Sequence, residues 1–314
     1  METTTGITAA EHGQPLSAPR WPGRLGQVLR REWSAYFFIA PAMLLFTVFT
    51  IYPAVRTIYI SFFNWKMRGN SPFSGLANYQ QLLTDTLFQQ TFVRTIYLAV
   101  VITVAAISLG FLAAILVNDL NGWSKYLVRS AIFIPSISSL IVSTMIWKSF
   151  LEPDGFFQRS AAFFGIAWQS WVASPEQAPL AIIVLSVWQQ VGYIMVFFLA
   201  GLQAIPQTFY EAAEVDGASP WDQLFHITIP LLQRTTLFVL VVTTLTNFKI
   251  FEQVFALTGG GPANSTLTLM MYIYQTGFRY SHFGPASAMA TVFSVVAIGV
   301  ALLQLRFLRA RFEY

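Results

Sequence analysis

An all-α protein that crosses a membrane about six times is what this sequence predicts, and three observations carry that prediction. Hydrophobic residues make up 55% of the 314-residue chain and charged ones only 10%, and mean hydropathy is +0.57. Soluble domains carry roughly a quarter charged residues, so a water-facing surface of ordinary polarity cannot be assembled here. The apolar residues gather into about six stretches near the ~20 residues a helix needs to cross a hydrocarbon core. Within each stretch they run continuously instead of alternating. Helices are therefore favoured over a barrel, and a helix satisfies its own backbone amides, as a spanning segment must.

Met1 to Pro22 is polar and rich in Thr, Ala, Gly and Pro. It lacks the apolar centre of a signal peptide and reads as a retained, disordered tail. From Arg24 to Trp33, Leu25, Val28, Leu29 and Trp33 recur at helical spacing opposite the arginines. That pattern suits a short helix lying in the membrane interface, and equally a basic flank without fixed structure. Residues 1–33 thus form a tail and interfacial segment, and 34–314 a transmembrane domain. The expected spans are Ala35–Ile58, Phe92–Val117, Ser130–Phe150, Pro179–Leu202, Leu237–Leu257 and Ala286–Phe307.

An even number of spans puts both termini on one side, and the Lys/Arg bias selects it. With both ends cytoplasmic, ten basic residues flank the inside: Arg20, Arg24, Arg30, Arg31, Lys125, Arg129, Arg234, Arg306, Arg309 and Arg311. Six flank the outside: Lys66, Arg68, Arg94, Lys148, Arg159 and Arg279. The loop 203–233 is then cytoplasmic. On the outer side, a turn signal at Ser74-Gly75 precedes Leu76, Tyr79, Leu82 and Leu83 at helical spacing, which predicts a short helix on the membrane face. Trp168, Trp171 and nearby prolines suggest a second interfacial connection. Arg56, at the end of the first span, is expected to snorkel to the interface.

Bond chemistry finds no support. Gly259-Gly260-Gly261-Pro262 lacks the Lys-Ser/Thr ending of a phosphate loop and reads as a turn that breaks the fifth helix. His12, His226 and His282 are scattered, no cysteine is present, and no serine sits in a nucleophile elbow. The basic residues track span ends and point to topology, not to nucleic acid. A self-contained secondary transporter would need coupling carboxylates buried in mid-span and an internal repeat. Glu252, near a span end, is the intramembrane acid found, and no strong repeat is evident.

The loop Glu211-Ala212-Ala213-Glu214-Val215-Asp216-Gly217-Ala218 is polar, acidic and Gly-punctuated between two oily stretches. Glu211 and the alanines are good helix formers. Asp216-Gly217 can end that helix with a left-handed residue, and Ser219-Pro220 can cap and start another. Small alanines allow close approach by a partner, and Glu211 and Asp216 offer charge-assisted bonds. The plainer reading is an amphipathic connector at the membrane surface.

This segment, with Phe225, Ile227 and Ile229-Pro230, resembles the cytoplasmic EAA loop of permease subunits in binding-protein-dependent ABC importers. Pro41, Tyr52-Pro53, Ser61-Phe62, Gly75-Leu76, Asn78-Tyr79, Leu199-Ala200-Gly201-Leu202-Gln203 and Ile205-Pro206 resemble the sugar-importer branch. Leu257-Thr258-Gly259-Gly260-Gly261-Pro262 and Gln304-Leu305-Arg306-Phe307 resemble its MalF-like and UgpA-like half, and the likeness runs from about Trp33 to the C-terminus. Ile229 departs from the usual Leu, and the extra outer domain and N-terminal helices of the maltose protein are absent. The resemblance implies the ABC type I importer permease fold in a prokaryotic cell membrane. It also implies a second MalG-like or UgpE-like permease, two ATP-binding subunits and an extracytoplasmic binding protein. ATP and Mg would sit on the partner subunits, with no cofactor bound by this chain. Glu211, Ala212, Ala213, Asp216, Gly217 and Ala218 would couple to an ATPase subunit.

Polar and aromatic residues inside spans are costly facing lipid and mark a substrate path. Ser136, Gln189, Gln190, Tyr193, Asn247, Phe248, Lys249, Phe251 and Gln253 are the candidates, since amides, hydroxyls and flat rings suit a sugar. The resemblance places Ser136, Gln189, Gln190, Asn247 and Ile250 near the maltose permease's substrate-contacting positions. Helix–helix hydrogen bonding uses the same residue types and is the competing reading. Lys249 and Glu252, three apart, would share a helix face and neutralise each other. A free Lys249 would instead suit an anionic substrate of the glycerol-phosphate type.

Overall fold

The computed structural model describes residues 33–66, 70–165 and 169–309. The expectations for the N-terminal tail, for the basic segment up to Glu32 and for Trp168 lie outside them. The described residues are helical, with one isolated bridge between Phe63 and Phe73. Among the described residues, four helices are long and apolar enough to cross a membrane, and two bent pairs bring the number to as many as six.

The chain divides into Met1–Val55 and Arg56–Tyr314. The described part of the first unit is helical, carries Pro41 within a helix and contains a π turn at Thr47–Ile51. It belongs to the span α1, Tyr36–Ile60, in which no residue of the most apolar window is buried. At the start of the second unit, the Arg56 guanidinium lies 5.1 Å from the Tyr59 ring centroid and 4.9 Å from that of Trp65. Stacking on rings therefore joins the snorkelling expected of it.

The predicted outer helix is α2, Ala77–Thr84. Its buried Asn78 anchors it, donating through Nδ2 to the carbonyls of Ser61 at 2.8 Å and Phe63 at 3.0 Å. Asp85 then caps α3, Thr86–Asn118, accepting from the amides of Leu87 and Phe88. Its other oxygen accepts from the Tyr272 hydroxyl at 2.7 Å, so one carboxylate ties the head of α3 to the distant segment α12, Leu269–Tyr274.

The core is the pairing of α3 with α7, Ala178–Gln203. Leu98, Ile102 and Ala106 of the first and Ile182, Leu185, Ile194 and Phe198 of the second are essentially fully buried. Small residues set how closely these helices and their neighbours approach. A Cβ on Gly110 would meet the Ile194 side chain, and one on Gly201 would meet Leu232 and Thr235.

The third predicted span, Ser130–Phe150, is not one helix. It is α4, Gly122–Ile137, and a second segment beginning with α5, Leu140–Leu151, with a bend of 98° between the two segments. Pro135 lacks an amide to donate within the last turn of α4. Ser138 is extended and Ser139, with φ −59° and ψ 125°, is not helical either, and the Ser138 hydroxyl donates back to the Pro135 carbonyl at 2.7 Å. A short helix α6, Phe156–Phe163, follows.

The fifth predicted span, Leu237–Leu257, also breaks. After the loop helix α8, Gln207–Val215, the chain forms α9, Pro220–Leu231, bent by 63° against α10, Gln233–Phe248. Lys249–Phe251 are not helical, and α11 covers only Glu252–Leu257. The glycine turn therefore ends α11, and the interruption of the span comes earlier. Gly259 and Gly260 there have φ of 63° and 97°, a region open to glycine at little cost. Beyond the turn, the Leu269 amide donates to Thr95 Oγ1 and Arg94 to the Leu267 carbonyl. The final helix is α13, Phe283–Arg309.

Candidate functional site

Two regions gather the residues singled out from sequence. In the first, α8 follows extended Pro206 and ends as the sequence predicts. Gly217 has φ of +80°, the Ala218 amide donates to the Ala213 carbonyl at 2.9 Å and the Gly217 amide to Glu214 at 3.0 Å. Those two bonds are a Schellman stop. Ser219 and Asp222 then form a reciprocal capping box with Pro220 at the first helical position, so the next helix starts one residue later. Two helical arms thus meet at a defined elbow.

The elbow is held from inside and bare outside. Tyr210 Oη lies 3.0 Å from Thr228 Oγ1, linking α8 to α9 across a cavity of about 420 Å³ that Asn118, Asp119, Glu214 and Trp221 also line. Glu211, Ala212, Asp216 and Gly217 are exposed, while Ala213 and Ala218 are half-buried. Val215 is 89% exposed, and Phe209, Trp221 and Phe225 are exposed as well. The Trp221 and Phe225 rings stack at 6.1 Å.

The second region separates into an inward network and an open face. Gln190 donates to Asn247 Oδ1 at 2.8 Å, and Asn247 donates to Thr103 Oγ1 at 3.0 Å. The Tyr193 hydroxyl donates to Gln190 Oε1 at 3.3 Å. Gln190, Asn247 and Thr103 are 4%, 1% and 3% exposed, so these bonds join α3, α7 and α10 in the subunit's own interior. Ser136 is likewise engaged, donating to the Gln189 carbonyl at 2.6 Å and accepting from the Tyr193 amide at 3.2 Å. Phe248 is buried with its ring stacked on Phe293, and Ile250 and Gln253 are buried.

Gln189, Tyr193 and Phe251 are half-buried, and Lys249 is exposed. On α10 the exposed positions Phe238, Val242 and Thr246 form one stripe at helical spacing, and exposed Lys249 follows just past the helix end. The Phe238 ring packs on Phe197 at 5.2 Å, and Phe197 lies 6.2 Å from Tyr193. Phe197 facing Phe238 and Gln190 facing Asn247 make the two helices antiparallel. Trp188 lies on another side of α7, its ring 5.6 Å from that of Trp147 on α5. The result is an open face shared by α7 and α10 that carries the Phe197, Phe238 and Tyr193 rings.

Lys249 and Glu252 do not share a helix face. α10 ends at Phe248, the two residues straddle the break, and both are exposed. Among the described residues the ion pair present is Lys148–Glu152, and Lys249 makes none. Thr103 escaped the sequence reading because it is a lone hydroxyl in an apolar run.

The inward network invites a double-mutant cycle with Gln190→Ala and Asn247→Ala, read by unfolding of the purified protein in mixed micelles. A coupling energy of about 0.6 kcal/mol, with ~1.7 as the upper end, is expected for a hydrogen bond inside a membrane bundle. Strictly additive losses would show that the pair is not bonded.

Residues 106–313 match the family model described as "Binding-protein-dependent transport system inner membrane component". The lactose transport system permease protein LacF of Rhizobium radiobacter is 36% identical over 285 residues, spanning 88% of this chain and 94% of that protein. The sn-glycerol-3-phosphate transport system permease protein UgpA of Yersinia pestis is 31% identical over 287 residues, 90% of this chain and 96% of that protein. A chain in the crystal structure of a bacterial ABC transporter involved in the import of the acidic polysaccharide alginate superposes with a TM-score of 0.83. It is 22% identical and covers 93% of this chain and 100% of that one.

Proposed function

This chain belongs to the family of binding-protein-dependent transport system inner membrane components, and from that premise we propose that it conducts a carbohydrate through an ATP-driven importer. It is a multi-pass membrane transport subunit with the ABC type I importer permease fold. In our reading it pairs with a second, similar permease and two ATP-binding subunits, which hold ATP and Mg and do the hydrolysis. An extracytoplasmic binding protein delivers a sugar, oligosaccharide or related polyol. Both termini and the loop 203–233 lie in the cytoplasm.

The observation that carries this reading is the elbow. A Schellman stop followed at once by a capping box fixes two helical arms, and Val215 stands bare among Glu211, Glu214 and Asp216. Such a knob fits a cleft on a soluble partner with basic or amide groups. Motion of that partner would tilt α7 and α10, which flank the loop and carry the open face. The sugar-binding reading of that face rests on its chemistry. Tyr193 offers a flat ring to an apolar sugar face, and the Gln189 amide can meet hydroxyls. The lactose permease relationship supports a carbohydrate cargo.

Purification of the tagged chain from its native membrane should bring down a second permease and an ATP-binding subunit. Liposomes containing that complex should take up substrate only with ATP inside and binding protein outside. Transport by this chain alone would defeat the proposal.

A further inference from the structure

We infer that an anionic phospholipid binds at the head of α3, its phosphate held by Arg94 and one acyl chain lying along the helix below. Of the four long helices α3 is the most apolar, and Arg94 stands half-buried within it. A hollow of about 540 Å³ opens there, lined among the described residues by Gln89, Gln90, Val93, Arg94 and Tyr97. In the topology proposed above this end of α3 faces outward, so the lipid belongs to the outer leaflet. The identity of the cargo plays no part in the inference.

The guanidinium lacks a counter-charge among the described residues. One of its N–H groups donates to the Leu267 carbonyl at 3.2 Å, which leaves the rest of its five donors unspent. The ion pair of the described residues is Lys148–Glu152. Asp85, the carboxylate at the head of the same helix, is already taken by the Leu87 and Phe88 amides and the Tyr272 hydroxyl. An arginine inside a spanning helix is as a rule paired, and its planar fork matches two oxygens of a phosphate at once. In the same hollow, the Gln90 amide and the Tyr97 hydroxyl make no hydrogen bond to a described residue. Both can donate to the ester and glycerol oxygens beside that phosphate.

The helix below the hollow favours a lipid over a free anion. Val93, Tyr97, Val100 and Val104 are 65%, 53%, 52% and 59% exposed, and their spacing puts them in one stripe. From first to last the stripe runs about 16 Å at 1.5 Å per residue, close to half of a ~30 Å hydrocarbon core. It is therefore as deep as one leaflet, with the cation at its head. The same helix argues against a covering helix on this side. Membrane helices approach one another closely on small residues, and on α3 those are Ala99, Ala106 and Ala114, fully buried on the face turned into the subunit.

The test is native mass spectrometry of the complete complex, purified in a neutral detergent and titrated with phosphatidylglycerol. Arg94→Gln should weaken one bound phosphatidylglycerol on the order of tenfold to a hundredfold, the worth of a charge-assisted hydrogen bond. Arg94→Lys should keep most of that binding. Gln90→Glu leaves the arginine in place but sets a carboxylate one turn before it, where the two can pair within the chain. It should release the same lipid, and it serves where loss of the Leu267 bond unfolds the Arg94→Gln variant. A second titration uses sodium phosphate in place of lipid and reads thermal unfolding. Phosphate alone protecting the unmodified complex, but not Arg94→Gln, as well as phosphatidylglycerol does would mean a free-anion site and overturn the lipid. The inference also falls if the unmodified complex holds phosphatidylglycerol no more tightly than Arg94→Gln and Gln90→Glu do, as it would if the second permease covered this face.

Discussion

Gly217→Pro is expected to reduce binding-protein-stimulated ATP hydrolysis on the order of a hundredfold while leaving membrane insertion intact. Three features of the elbow oppose proline at once. Gly217 has φ of +80°, and proline is confined near −65°. Its amide donates to the Glu214 carbonyl at 3.0 Å, and proline has no such donor. Asp216 is in the helical region with φ −74° and ψ −3°, which a following proline disfavours. A cost of about 3 kcal/mol is the scale of a proline forced into a helical position, and at ~1.4 kcal/mol per tenfold it matches the expected loss. Insertion should be spared because α8 buries no residue. Gly217→Ala is the control. An added Cβ there meets nothing within 4 Å, so only the left-handed backbone is penalised, by about 1–2 kcal/mol. Hydrolysis measured in liposomes with loaded binding protein decides the matter. Full stimulation in the proline variant would remove the elbow from the coupling path.

Gly192→Val should prevent the subunit from assembling stably. Even a single added Cβ would lie 2.5 Å from the Ile132 carbonyl oxygen, 2.5 Å from Ser136 Oγ and 2.9 Å from the Phe133 Cα. Two of those three are backbone atoms of α4, so no rotamer change relieves the contact, and α4 must move away from α7. Overpacking a filled core costs roughly 1–3 kcal/mol, and here the displacement also breaks the Ser136 bonds to the Gln189 carbonyl and the Tyr193 amide. Gly299→Val in α13 is the matched control, since a Cβ there meets nothing within 4 Å. Thermal unfolding of the detergent-purified complex should show a large drop for the first variant and almost none for the second. Equal stability of the two would mean that α4 and α7 do not cross so closely.

The parts legible in the sequence are those written in neighbouring residues. The elbow was readable because a Gly at the helix end and a following Ser-Pro pair encode it within about ten positions. The short helix α2 was readable from one turn signal and one apolar stripe. The two broken spans were not, because hydropathy averages across a break that leaves composition unchanged. Ser138 and Lys249 sit inside runs that remain apolar overall, and only the backbone shows that the helices stop there. The inward network was illegible for another reason. Gln190 finds Asn247 57 positions away, and Asn247 finds Thr103 144 positions away. Nothing local distinguishes an amide that meets another helix from one that meets cargo. Hence the residues proposed together as one lining divide between interior packing and the open face.

The Ser136 hydroxyl, clipped onto two consecutive turns of α7 above a glycine, has a mechanical consequence. α4 and α7 cannot slide or tilt past each other without unmaking that clip, so they turn as a single rigid limb. Past Ser138 the tether changes character: the Ser138 and Ser143 hydroxyls lie 2.7 Å apart across the bend, and the Trp147 ring of α5 leans on Trp188 of the same limb.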